Sequence, residues 1–243
     1  MNKIVLYLAI GYTGGAAYIG QATAGVPVPD MDEQTLQQKY HIAPTEQGLI
    51  GALQHQEAVV RSFAATKLAN DGDKAAIRPI LDALATEKLE GNKIILASAA
   101  ARLGADEGFE ALKSMCGDRS WSPTLRMTAA QTMVNVVGRQ ECLSDILDVL
   151  RWEPEDHQAS FAALNLFAYN RFKQIPPSQL DEIRDVCAMH LKSQDAGLRI
   201  AAGMCIRDQG GPWAISQLRL ALDAERDTAV RDSIAKDLLS VRP

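Results

Sequence analysis

Apolar residues recur along this chain at i, i+4, i+5 and i+8 in six stretches that share one template. An apolar residue and an Arg are followed by two variable positions, Ala-Ala, two more variable positions and an aliphatic side chain. The template is filled by Val60-Arg61 with Ala64, Ala65 and Leu68, and by Leu125-Arg126 with Ala129, Ala130 and Met133. It returns as Leu198-Arg199 with Ala202, Gly203 and Ile206, and as Val230-Arg231 with Ile234, Ala235 and Leu238. Two copies lack the Arg: Ile95-Leu96 with Ala99, Ala100 and Leu103, and Gln158-Ala159 with Ala162, Ala163 and Leu166. Such spacing places the apolar set on one helical face, and paired alanines let a neighbouring helix come close. The anchors 61, 96, 126, 159, 199 and 231 stand 35, 30, 33, 40 and 32 residues apart, the period of arrays of stacked helix pairs.

Upstream of each copy lies a second amphipathic segment, marked by Leu49 and Leu53, Ile80 and Leu84, Leu112 and Met115, Ile146 and Leu150, Ile183 and Val186, and Leu218 and Leu222. The pattern therefore predicts an all-α chain, an α-solenoid of about six stacked antiparallel helix pairs over residues 45–243. Glu57, Asn92, Ser122, Glu155, Asp195 and Asp227 sit four residues before the anchors, as helix-start residues do. Ser178 and Asp181, after Pro176-Pro177, resemble a capping box. Gly210-Gly211-Pro212 cannot continue a helix, and the 40-residue interval points to an enlarged connection around residues 172–177.

The start of the chain follows another rule. Lys3, the apolar run from Ile4 to Ile10 and the small residues Ala22-Thr23-Ala24 before Gly25 match the three parts of a secretory signal peptide. Residues 1–24 are read as that signal, cleaved between Ala24 and Gly25, which places the mature chain in the periplasm or outside the cell. The alternative is an uncleaved envelope anchor, although the apolar run is shorter than a spanning helix needs and is weakened by Gly11, Gly14 and Gly15. Residues 25–44 read as a linker, Val26-Pro27-Val28-Pro29, followed by a short helix with Leu36 and Tyr40 that covers the first repeat.

The pattern Asp-x-x-x-Arg-x-x-Ala-Ala-x-x-Leu, complete or nearly so in Glu57 to Leu68, Asp195 to Ile206 and Asp227 to Leu238, resembles the HEAT repeat. It is most similar to the short bacterial form seen in phycobilisome-lyase HEAT-like repeats. The resemblance implies a structural role for Arg61, Arg126, Arg199 and Arg231, pairing with the acid four residues ahead or its copy in the next repeat. It is specific for fold and says little of function, because such arrays serve unrelated roles.

Composition narrows the function classes. With 30 acidic against 25 basic side chains and a net charge of -5, the 243-residue chain lacks the basic balance of a nucleic-acid binder. His41, His55, His157 and His190 are far apart, with no His-Glu dipeptide and no Cys-x-x-Cys, so neither metal nor cofactor is expected. Glu153-Pro154-Glu155-Asp156-His157 gathers acids beside an imidazole in an inter-helix turn and is read as solvated surface. Cys116, Cys142, Cys187 and Cys205 allow three complete pairings. Cys187 and Cys205 lie on the two helices of one pair, about equally far from its turn, so a bridge fits there; buried thiols are the other reading. Direct pairing of Cys116 with Cys142 is not expected.

Second helices of stacked pairs usually line the concave side. Positions two, five and six after the anchors then supply a mixed strip, from which Phe63, Lys67, Arg102, Gln131, Phe161 and Asn165 are the candidate partner contacts. Phe63 and Phe161 are core residues instead if the register is off by one. The chain is thus read as a non-enzymatic interaction module or scaffold of the bacterial cell envelope, binding a protein or peptide, with no span in the mature chain. The alternative is a lyase or accessory enzyme of the phycobilisome-lyase kind, which bound pigment or metal in the purified protein would favour.

Overall fold

A computed structural model describes residues 33–168, 172 and 175–242; residues 1–24 and the first part of the linker lie outside them. The described residues are helical throughout and contain no strand. They divide into two compact units, one holding residues up to Trp121 with Thr128–Arg139, the other holding Ser122–Met127 with Gln140 onward.

The first unit begins with α1 (Glu33–Lys39), α2 (Glu46–Ala52) and α3 (Ala58–Asp71), continues through a 3-10 turn at Lys74–Ala76, and adds α4 (Ile77–Thr86), α5 (Glu90–Arg102) and α6 (Asp106–Gly117). Helix α2 packs on α3, α4 on α5, and α3 on α5, so that the Ala-rich helices face one another. Leu36 of α1 joins Leu49, Leu53, Phe63 and Leu68 in the same buried cluster. The paired alanines have a visible consequence. A Cβ added to Gly108 of α6 would stand 2.6 Å from the Ala101 nitrogen and 2.7 Å from the Ala100 Cβ, so α5 and α6 touch backbone to backbone.

Helix α7 (Pro123–Thr132) crosses the unit boundary and passes into a π-helical turn, Met133–Val137, that packs on α5 and α6 of the first unit. The second unit contains α8 (Leu143–Trp152), α9 (His157–Ala168), α10 (Pro177–His190), α11 (Ala196–Gln209), α12 (Gly211–Ala224) and α13 (Thr228–Ser240). Its hairpins are α8 with α9, α10 with α11 and α12 with α13; α9 packs on α11, α11 on α13, and α8 on α10. Gly210 and Gly211 take φ of 69° and 70°, a left-handed turn that side chains resist, and this separates α11 from α12.

Helix starts follow local chemistry with some shifts. Asp195 accepts from the Leu198 N–H, Asp227 from those of Ala229 and Val230, and Ser122 from that of Leu125. At α9 the cap is Asp156, which accepts from Ala159, and not Glu155. Asn92 lies inside α5 and is buried, and Glu57 makes no capping bond through its side chain. Ser178 forms no capping box. The chain enters α10 from Pro176 with Pro177 as first residue, and Asp181 turns to Arg184 at 3.4 Å.

Candidate functional site

The Arg positions are the most regular polar feature, and Arg61, Arg126 and Arg199 are each tied into a strut to a downstream Glu, whereas Arg231 donates to the Glu225 backbone carbonyl at 3.5 Å. The Arg61 guanidinium grips the Glu87 carboxylate at 2.7 Å and 2.9 Å, and donates to the carbonyls of His55 and Gln56, both at 2.7 Å. Arg199 repeats the arrangement with Glu225 at 2.7 Å and the carbonyls of Ser193 and Gln194 at 2.9 Å and 3.1 Å. Arg126 pairs with Glu153. The partner is therefore not the acid four residues ahead: it lies 26 or 27 residues downstream. Glu87, Glu153 and Glu225 are the C-cap residues of α4, α8 and α12. Where the anchor is Leu96 or Ala159, the corresponding C-caps of α6 and α10 are Asp118 and Leu191. At these five anchors an Arg is present where the C-cap is Glu and absent where it is not, as a strut between a second helix and the first helix of the following pair requires.

Burial pushes the Glu87 carboxyl up, but the Leu89 N–H, the Asn92 amide, the Arg61 guanidinium and the Lys88 N–H together hold it below the usual range. Arg199 does the same for Glu225, with the N–H groups of Asp227 and Arg226 in support. Ser62 completes the first of these networks by donating to the buried Asn92.

The candidate contact residues divide. Phe63 is 2% exposed and belongs to the core, so its ring is unavailable to a partner. Phe161 is 42% exposed on α9. Lys67 is half-buried and bonded to Asp71 at 2.8 Å; Arg102 is exposed but donates to Asn70 at 2.7 Å. Gln131 and Asn165 are half-buried. Phe63, Lys67, Arg102 and Gln131 belong to the first unit, Phe161 and Asn165 to the second.

With this geometry in view, the chain can be set beside known proteins. No protein-family model matches it, and no curated protein resembles it in sequence. Among solved structures it is similar to the crystal structure of an engineered protein, a Northeast Structural Genomics Consortium target, at 15% identity and a TM-score of 0.50, covering 82% of this chain and 99% of that one. A second engineered target of the same consortium matches at 18% identity and 0.47, covering 80% and 95%. The first likeness is one of fold alone. The second is too distant to argue from.

The remaining polar chemistry is structural in geometry. His190 is buried, its Nε2–H donating to the Leu150 carbonyl at 3.1 Å, and burial lowers its pKa against the pull of that bond. Among the described residues no group of three or more His, Cys, Asp or Glu is placed to hold a metal, and no helix is long and apolar enough to cross a membrane. Cys187 and Cys205 form a disulfide with Cα atoms 6.2 Å apart. Cys116 and Cys142 are disulfide-bonded as well.

Asp237 on α13 is the one strongly perturbed acid among the described residues. Burial raises its pKa to about 6 against the attraction of Arg207, whose Nη1 lies 2.9 Å from Oδ1; the nearby Asp208 raises it further. Its Oδ2 is buried without a hydrogen-bond partner. The folded pKa lies above the unfolded value of 3.8, so this group adds stability as pH falls through about 6 and adds no more below 3.8. Asp237→Asn is expected to raise stability at pH 7.5 by on the order of 1–2 kcal/mol, with the gain disappearing toward pH 4. Urea unfolding at the two pH values checks both the sign and the trend.

Proposed function

We propose that the chain is a HEAT-like α-solenoid acting as a non-enzymatic protein or peptide interaction module of the bacterial cell envelope, exported and freed of residues 1–24. The observation that carries the repeat reading is the Arg–Glu strut, recurring from Arg61, Arg126 and Arg199 to the next first-helix C-cap. A set of identical ties between successive helix pairs is what serial stacking needs, since each pair cannot seal its apolar face alone. The binding reading is supported by an exposed aromatic ring at Phe161 on a second helix, together with struts whose charges are already spent within the fold. Export is supported by four cysteines that are all disulfide-bonded, a state that persists in oxidising compartments.

The test is capture from an envelope extract by the mature chain, with the intact mass of the exported protein reporting loss of residues 1–24. Phe161→Ala is expected to lower recovery of a specific partner about tenfold with helicity by circular dichroism unchanged, as loss of an interface anchor does. Capture of nothing specific, or equal capture by the variant, counts against the reading.

A further inference from the structure

We propose that the face of α13 turned away from α11 is a docking surface for a helix pair of a partner protein, one whose first helix ends in a glutamate that Arg231 receives. Arg231 holds in α13 the template place that Arg61 holds in α3 and Arg199 in α11. In all three the guanidinium donates to the carbonyl six residues earlier: His55 for Arg61, Ser193 for Arg199 and Glu225 for Arg231. The other nitrogens of Arg61 and Arg199 are taken by Glu87 and Glu225. Arg231 is exposed, and among the described residues no carboxylate answers it.

Burial along the second helices agrees. Residues one, four and eight after the anchor face the next second helix: Ser62 donates to Asn92 of α5, a Cβ on Gly203 would stand 3.0 Å from the Asp237 carboxylate of α13, and Arg207 bonds that carboxylate at 2.9 Å. In α3 and α9 these places are Ser62, Ala65 and Ala69, and Ser160, Ala163 and Phe167, all buried. In α13 they are Asp232, Ala235 and Leu239, of which Asp232 is exposed and Leu239 is 88% exposed. Ile234 and Asp237 meet α11, and at 3.6 residues per turn the three lie on the opposite side of α13, with Arg231, Ala235 and Leu239 in one i, i+4, i+8 row. The series α9, α11, α13 thus leaves its next place open.

The strut selects the occupant. A guanidinium held by a backbone carbonyl presents a fork that fits a carboxylate, and in this fold that carboxylate stands at the C-cap of the first helix of the pair that docks. A second copy stacked in series does not supply one. Its first pair opens with α2, whose C-cap is Leu53, and its Glu87, Glu153 and Glu225 are gripped by its own arginines. The inference rests on the strut and on the packing of α9, α11 and α13, and not on the strip that carries Phe161, so either can fail alone.

The experiment uses the full mature chain and a fluorescein-labelled synthetic helix pair, closed by a disulfide across its turn, with Ala and Leu on one face and Glu as the residue after its first helix, followed by fluorescence anisotropy. A second probe carries Gln at that one place and is expected to bind the parent about tenfold less tightly, the usual cost of losing a charged hydrogen-bond partner. Arg231→Gln is expected to weaken the Glu probe about tenfold and to abolish the preference between the two probes. Leu239→Asp is expected to weaken both about tenfold, and Phe161→Ala to leave both unchanged. Because Arg231 and Leu239 lie on the surface, circular dichroism of their variants should match the parent. No binding of the Glu probe, equal binding of the two probes by the parent, a preference that survives Arg231→Gln, or sedimentation showing the parent alone to form a dimer that Leu239→Asp dissolves would each overturn the proposal.

Discussion

Arg61→Met is expected to destabilise the first unit by about 3–5 kcal/mol, the usual result of removing one partner from a buried ion pair. The cause is what remains behind. The Glu87 side chain is almost fully covered, and Arg61 is the cation that faces it. Without the guanidinium, the carboxylate keeps three neutral donors, the N–H groups of Lys88 and Leu89 and the Asn92 amide. The carbonyls of His55 and Gln56 lose a donor at the same time. In the parent protein the folded pKa of Glu87 lies below its unfolded value, so its contribution is present above the unfolded pKa and is lost as pH falls through the folded one. In the variant burial dominates, the folded pKa rises, and acid should partly restore stability. Adding Glu87→Gln removes the stranded charge while leaving an acceptor for the neighbouring N–H groups, and should recover most of the loss. Urea unfolding of the single and double variants at pH 7.5 and pH 4.5 measures all of this; a loss under 1 kcal/mol for Arg61→Met would mean the strut contributes little.

The second large effect belongs to the bridge in the second unit. Cys187 and Cys205 are separated by 18 residues, and closing a loop of that length restricts the unfolded chain by about 3 kcal/mol in the entropic account. Replacing both with Ala should lower the stability of the α10–α11 hairpin and its neighbours by about that amount. Both sulfurs are fully buried, so a thiol reductant at neutral pH should leave the native protein intact until denaturant opens it. The check is a pair of unfolding curves, with and without reductant, for the parent and for Cys187→Ala/Cys205→Ala. The curves should differ for the parent and move together in their shared response to the other disulfide-bonded cysteines. Thiol titration of the unfolded, unreduced protein that finds free cysteines would remove the basis of the prediction.

How much of this could be read in advance varies with the distance over which each feature is decided. The helices were legible, because an i, i+4, i+5, i+8 apolar rhythm admits no other regular structure, and each upstream amphipathic segment became α2, α4, α6, α8, α10 or α12. Asp195 and Asp227 were legible as caps, since a cap and its N–H partner lie within three residues. The strut was present in the letters, as Arg and Glu recur 26 or 27 residues apart, but the nearest acid drew the attention first. Phe63 and Phe161 show the limit most sharply. They occupy the same place in the template, yet Phe63 shares a buried cluster with Leu36 of α1 while Phe161 stands 42% in solvent.

By itself the sequence determined that this protein is built from helix pairs, where they break, and which faces are apolar, all matters of local periodicity and backbone freedom. Tertiary structure alone decided which Glu answers Arg61, Arg126 and Arg199, that all four cysteines are bridged, and which phenylalanine is covered. Those outcomes depend on which segments approach through space, and the apolar rhythm of a helix is the same whether or not another helix lies against it.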